Sequence, residues 1–106
     1  MTTFNDREKA FEEKFKHDQE LRFKVHARRN KLLGLWAAGK MGLDAGAADA
    51  YAKTVVDADF KEPGDDDVLQ KVLKDLTGKG ISASAADVRK EMERLLPVAK
   101  DEIAKG

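Results

Sequence analysis

The 106-residue sequence predicts an all-α fold, a small bundle of four helices. Three observations carry that expectation. Ala, Lys, Leu, Glu and Arg abound while aromatic and β-branched residues are sparse, a composition that favours helix. No stretch alternates apolar and polar residues for long enough to suggest a strand. Breakers divide the chain into four segments, and connections of roughly 4–8 residues suit antiparallel neighbours.

The first segment is long, from about Phe4 to Lys40, with only Gly34 and Gly39 inside it. At ~100° per residue, Phe4, Phe11 and Phe15 fall within an arc of about 40°. Leu21, Val25, Leu32 and Trp36 make a second, adjacent stripe. From Leu21 onward the apolar face fills out, and Lys31 to Ala38 is apolar most of the way round, so this half reads as core. Between Phe4 and Phe15 the only large apolar residues are three Phe in a charged background. A stripe that thin cannot offset the cost of ordering the backbone.

Gly39-Lys40-Met41-Gly42 ends the first helix. Asp44 is placed to cap a second, from Ala45 to about Phe60, whose buried face is Ala48, Tyr51, Ala52, Val55 and Val56. Glu62-Pro63-Gly64 is a break. Asp65 is then expected to cap a third helix, with Asp66 and Asp67 suiting its macrodipole. Val68, Leu69, Val72, Leu73 and Leu76 form its stripe, and Gly78-Lys79-Gly80 stops it. Ser84 and Asp87 form a capping box for the last helix, with Asp in place of Glu. That helix should bury Val88, Met92, Leu95, Leu96, Ala99 and Ile103, with a kink or a lost hydrogen bond at Pro97.

Composition also excludes functions. The absence of cysteine removes disulfides, thiolate zinc sites and a cysteine nucleophile. Twenty basic and twenty acidic residues cancel, which argues against a cationic nucleic-acid binder. No apolar run approaches the ~20 residues needed to span a bilayer. The N-terminus lacks the basic and apolar regions of a signal peptide, so the expectation is a soluble intracellular protein. Yet 38% of the residues are charged, well above the roughly 25% of ordinary domains.

No catalytic constellation emerges. Gly34-Leu35-Trp36-Ala37-Ala38-Gly39-Lys40 matches most of a phosphate loop, but Met41 stands where Ser or Thr would reach magnesium. That stretch also ends a helix, and a helix C-terminus repels phosphate. Asp57-Ala58-Asp59 begins like a calcium loop, but Lys61 occupies a ligand position and the expected Gly is missing. His17 and His26, nine residues apart, lie on opposite sides of a helix and cannot share a metal. Ser82 and Ser84 are explained by capping. Residues 1–31 hold nine basic and six acidic residues, the densest basic cluster being Lys24, Arg28, Arg29 and Lys31. It reads as a solvated helix face or a protein-binding surface. The Phe stripe has two readings: a segment that folds into a partner's groove, or side chains packed back on the bundle.

The N-terminal Met1-Thr2-Thr3-Phe4, Asp6-Arg7-Glu8, Phe11-Glu12 and Lys14-Phe15 carry a resemblance to a known family. So does the long block Ala27-Arg28-Arg29-Asn30-Lys31-Leu32-Leu33-Gly34-Leu35-Trp36-Ala37-Ala38. Ala50-Tyr51-Ala52-Lys53 and Val55-Val56 through Ala58-Asp59-Phe60 extend it. Together they resemble the zeta inhibitor subunit of alpha-proteobacterial F-type ATP synthases, over essentially the whole chain.

The resemblance implies a mobile N-terminal inhibitory segment, residues 1–18, followed by a four-helix bundle domain, residues 19–106. It implies a regulator rather than an enzyme, with no cofactor and no metal. The partners would be the α, β and γ subunits of the catalytic head. The segment would enter a catalytic α/β interface as a helix and block hydrolysis. The expected partner-binding residues are Phe4, Asp6, Arg7, Glu8, Phe11, Glu12, Lys14 and Phe15, with Arg28 and Arg29 on the bundle. The free protein would be monomeric and cytoplasmic, peripheral to the inner membrane only through the ATP synthase. The alternative is a small helical nucleotide-binding or adaptor protein.

Overall fold

In the computed structural model, backbone is described for residues 2–61 and 64–105, and side chains for 19–59 and 64–105. The proposed mobility of residues 1–18, and all their side chains, lie outside the described residues. The elements are α1 (Thr2–Lys40), α2 (Ala45–Lys61), α3 (Asp65–Gly78) and α4 (Ala85–Lys105). No strand occurs among the described residues. Helix α1 packs mainly on α2 and α4, and α3 closes the bundle against both of these and α1.

The chain reversals follow from local chemistry. At the end of α1, Gly42 adopts a φ of 73°, which an L side chain resists. The Leu43 amide donates to the Ala38 carbonyl at 3.0 Å and the Gly42 amide to the Gly39 carbonyl at 3.2 Å. This is the Schellman arrangement, in which the last carbonyls of the helix find donors. Helix α3 ends in the same way, with Gly80 at φ 79° and the Ile81 amide donating to Leu76 at 3.0 Å. Asp44 caps α2 through the Ala47 amide at 2.8 Å. The capping box of α4 is present in both directions: Ser84 amide to Asp87 at 3.0 Å, Asp87 amide to Ser84 hydroxyl at 3.2 Å. Helix α4 runs through Pro97. The Glu93 carbonyl, which Pro97 cannot serve, lies on an exposed turn where water can.

Asp65 does not cap α3. Gly64 takes the cap position without any side-chain bond, and Asp65 is the first helical residue. Its carboxylate turns instead to Arg29 of α1, at 2.8 Å. A charge-assisted bond to a guanidinium outweighs a bond to a neutral amide.

The core comprises Leu33 and Ala37 of α1, Val55 of α2, Val68, Leu69, Val72 and Leu76 of α3, and Val88, Met92 and Leu95 of α4. The expected stripe on α1 is only partly right: Val25 is buried, but the other three residues are out of phase with the core. Leu21 is 41% exposed, and Leu32 and Trp36 only flank the core. The buried row is Val25, Arg29, Leu33 and Ala37, spaced by four, with Asn30 and Ala38 beside it. Two polar residues sit where an apolar pattern was sought, so the periodicity is lost to inspection.

Helices α1 and α2 approach closely at Gly34. A Cβ there would lie 2.7 Å from the Ala52 Cα and 3.2 Å from Val55 Cγ2. Gly39, one turn on, faces nothing within 4 Å. Two substitutions should therefore part ways in urea denaturation. Gly34→Ala should lose about 1–3 kcal/mol to overpacking, despite the better helix propensity of Ala. Gly39→Ala should gain up to about 1 kcal/mol from that propensity alone. Equal effects would show that the crossing is not as tight as described.

Candidate partner-binding surface

The two arginines singled out in sequence have different surroundings. Arg28 is partly exposed, and its Nη1 donates to Glu102 Oε1 of α4 at 2.7 Å. Arg29 is only 3% exposed. Its Nη2 donates to Asp65 at 2.8 Å and to Asn30 Oδ1 at 3.0 Å. Asn30, fully buried, passes the connection on from its Nδ2 to Asp59 Oδ2 at 3.1 Å. The other oxygen of Asp59 accepts from the Gly64 amide at 3.2 Å. Arg29 and Asn30 thus fasten both sides of the α2–α3 turn to the middle of α1. Every buried side-chain N or O among the described residues has a partner. The Arg29 guanidinium is consequently a structural tie rather than an outward-facing charge, because a buried cation must be compensated.

Asp59, which the calcium-like spacing highlighted, lies within α2 and serves this network. No group of three His, Cys, Asp or Glu among the described residues could hold a metal ion. The phosphate-loop-like stretch from Gly34 to Lys40 is helix throughout, with Gly34 in a helix crossing and Lys40 lying 5.2 Å over the Trp36 ring. It lacks the helix N-terminus that a phosphate would need. No helix is long and apolar enough to cross a membrane, among the described residues.

A second polar cluster joins α2 to α3. Tyr51 donates to Asp75 at 2.8 Å, and Lys71 contacts the same carboxylate at 3.0 Å while lying 5.4 Å over the Tyr51 ring. Burial, reinforced by the hydrogen bond to Asp75, pushes the Tyr51 phenol above its ordinary value.

Sequence reasoning missed a groove between α1 and α4. Leu21, Val25, Leu96 and Ile103 line it, with Arg22, His26 and Lys100 at its edges. The exposure of Leu21 was the missing signal, since the apolar stripe had assigned that residue to the core. The eight expected contacts from Phe4 to Phe15 lie outside the described residues.

The network makes two measurable claims. Arg29→Met leaves the wholly buried Asn30 Oδ1 without its donor, and should cost about 1–3 kcal/mol in chemical denaturation. Arg29 also holds the Asp65 carboxyl below its usual range, first by hydrogen bond and then by charge, with burial opposing. A carboxyl lowered on folding adds stability that is present above its unfolded pKa of about 3.9 and lost as pH falls through the folded value. Stability should therefore drop as pH falls below ~4, and Asp65→Asn should flatten that limb of the pH profile.

The comparisons agree with this architecture. A protein solved by solution NMR superimposes with a TM-score of 0.71 at 48% identity, over 80% of this chain and 96% of its own. No curated protein matches the chain. The sequence profile of a family of inhibitor subunits, regulatory proteins rather than enzymes, matches residues 1–102. The long first helix, the bundle and the profile lead to one assignment: the chain belongs to the ATPase inhibitor subunit zeta family.

Proposed function

We propose that the chain inhibits ATP hydrolysis by the F-type ATP synthase by inserting residues 1–18 as a helix at a catalytic α/β interface of the head. The observation that carries this reading is the family match, which begins at residue 1 and takes in the whole charged, Phe-bearing segment. Phe4, Phe11 and Phe15 fill apolar grooves of an open interface and act as anchors. Asp6, Arg7, Glu8, Glu12 and Lys14 pair with charges across it and fix the register. The bundle docks outside and raises the effective concentration of the segment. Arg28 contributes at that outer contact. Arg29, being buried, contributes by fixing the shape of the bundle that presents it.

The inhibition follows from selective binding. A segment that fits one catalytic conformation of the α/β pair, against the γ shaft that sets it, holds the head in that state and stops the cycle. The work is done from the cytoplasmic side, with the bundle peripheral to the membrane through the complex.

Deleting residues 1–18 should abolish inhibition of the purified head while leaving the bundle folded, with cooperative thermal unfolding retained. A truncated chain that inhibits as well as the full one would overturn the reading. Phe11→Ala should weaken inhibition by roughly 30-fold, the effect of losing an anchor of about 2 kcal/mol.

A further inference from the structure

We propose that the groove between α1 and the C-terminal half of α4 is the seat for an acidic amphipathic helix of the ATPase partner. Its floor is Leu21 and Val25 from one helix and Leu96 and Ile103 from the other. These residues repeat at intervals of four and seven on antiparallel helices, which leaves an apolar furrow along their seam. The furrow holds about 670 Å³ and is open to solvent, with Leu21 41% exposed and Leu96 and Ile103 partly so. A third helix fits such a furrow through side chains at i, i+3, i+4 and i+7.

Charge selects the occupant. Arg22, Lys100 and His26 line the furrow as well, and no acidic side chain does so among the described residues. Neither Arg22 nor Lys100 has an ion-pair partner among the described residues. The nearby cation Arg28, by contrast, is paired with Glu102. A basic rim around an apolar floor matches a helix with an apolar stripe flanked by Asp and Glu. A second copy of the chain would bring the same cations face to face, which disfavours self-association. Leu21 lies three residues after the end of segment 1–18, so a helix seated in the furrow would lie next to the contact made by the inhibitory segment. In that respect the inference rests on the inhibitor reading, and it gives the outer docking contact a place and a chemistry.

Two measurements on the full chain test it. In the first, Arg22→Glu combined with Lys100→Glu should weaken binding to the purified ATPase by roughly 10- to 100-fold through lost effective concentration, leaving inhibition at saturation unchanged. The control Lys53→Glu with Lys74→Glu, on other faces, should change binding less than about 3-fold, as rim charges outside an interface do. Circular dichroism establishes that both variants are folded. Wild-type affinity in the first variant would overturn the proposal. A wild-type chain that does not bind the ATPase would instead overturn the inhibitor reading. The second measurement does not depend on that reading. A synthetic 14-residue amphipathic peptide with Asp and Glu flanking a Leu stripe should shift the NMR signals of Leu21, Val25, Leu96 and Ile103. The same peptide with Lys in place of Asp and Glu should not. Equal shifts from both peptides, no shift from either, or shifts only with phosphatidylserine vesicles would each overturn the assignment.

Discussion

A guanidinium buried in the middle of α1 has to be neutralised, and the arrangement of the bundle is the means by which it is. Arg29 is held by Asn30 beside it and by Asp65 from the start of α3. Asn30 draws in Asp59 from the end of α2. Apolar packing would permit the α2–α3 turn to sit at several heights along α1, because one Val or Leu contact resembles another. A cation that must meet one carboxylate permits a single height. The core provides the driving force, while the network fixes the register. Replacing such a network wholesale by apolar residues can be neutral in energy, whereas removing one member leaves another buried without its partner.

Much of the fold was legible in the chain. Helix boundaries followed from Gly39-Lys40-Met41-Gly42, Gly78-Lys79-Gly80 and the capping pairs at Asp44 and Ser84, because each is a local interaction between neighbours in sequence. The phase of α1 was not legible, and for one reason. Its buried row is broken by Arg29 and Asn30, so a search for apolar spacing settled on Leu21, Val25, Leu32 and Trp36, of which only Val25 is buried. Asp65 was misread as a cap for the same reason: its partner lies in another helix, and nothing in its own neighbourhood announces it. The groove at Leu21 and Ile103 depends on how α1 and α4 lie together, and no pattern within either helix specifies that. The family, in contrast, was legible from a long contiguous block, since identity needs no three-dimensional information.

The bundle and the segment it carries place different demands on one helix. In the second half of α1, Leu33 and Ala37 pack into the core shared with α2, α3 and α4. Residues before Leu21 bear mixed charge and three Phe. The zero net charge of the chain hides this division: the bundle pairs its charges both between helices, as at Arg28–Glu102 and Arg29–Asp65, and within them, as at Lys71–Asp75, whereas the N-terminal segment has opposite charges interleaved along its sequence. Such a pattern suits a protein surface better than a phosphate backbone, where an excess of one sign would be required.

Adjacent arginines on α1 reach very different distances along the chain. Arg28 closes on Glu102, 74 residues away, and Arg29 on Asp65, 36 residues away. Closing the longer loop costs only about 0.6 kcal/mol more than closing the shorter, since each doubling adds about that much. Order of appearance then matters more than loop entropy. During synthesis α1 is complete well before either carboxylate exists, and Arg29 stays hydrated until Asp65 has emerged and α3 can begin. The core that Leu33 and Val55 share with Val88, Met92 and Leu95 can close only once α4 is available as well, which makes assembly of this bundle a late and concerted event.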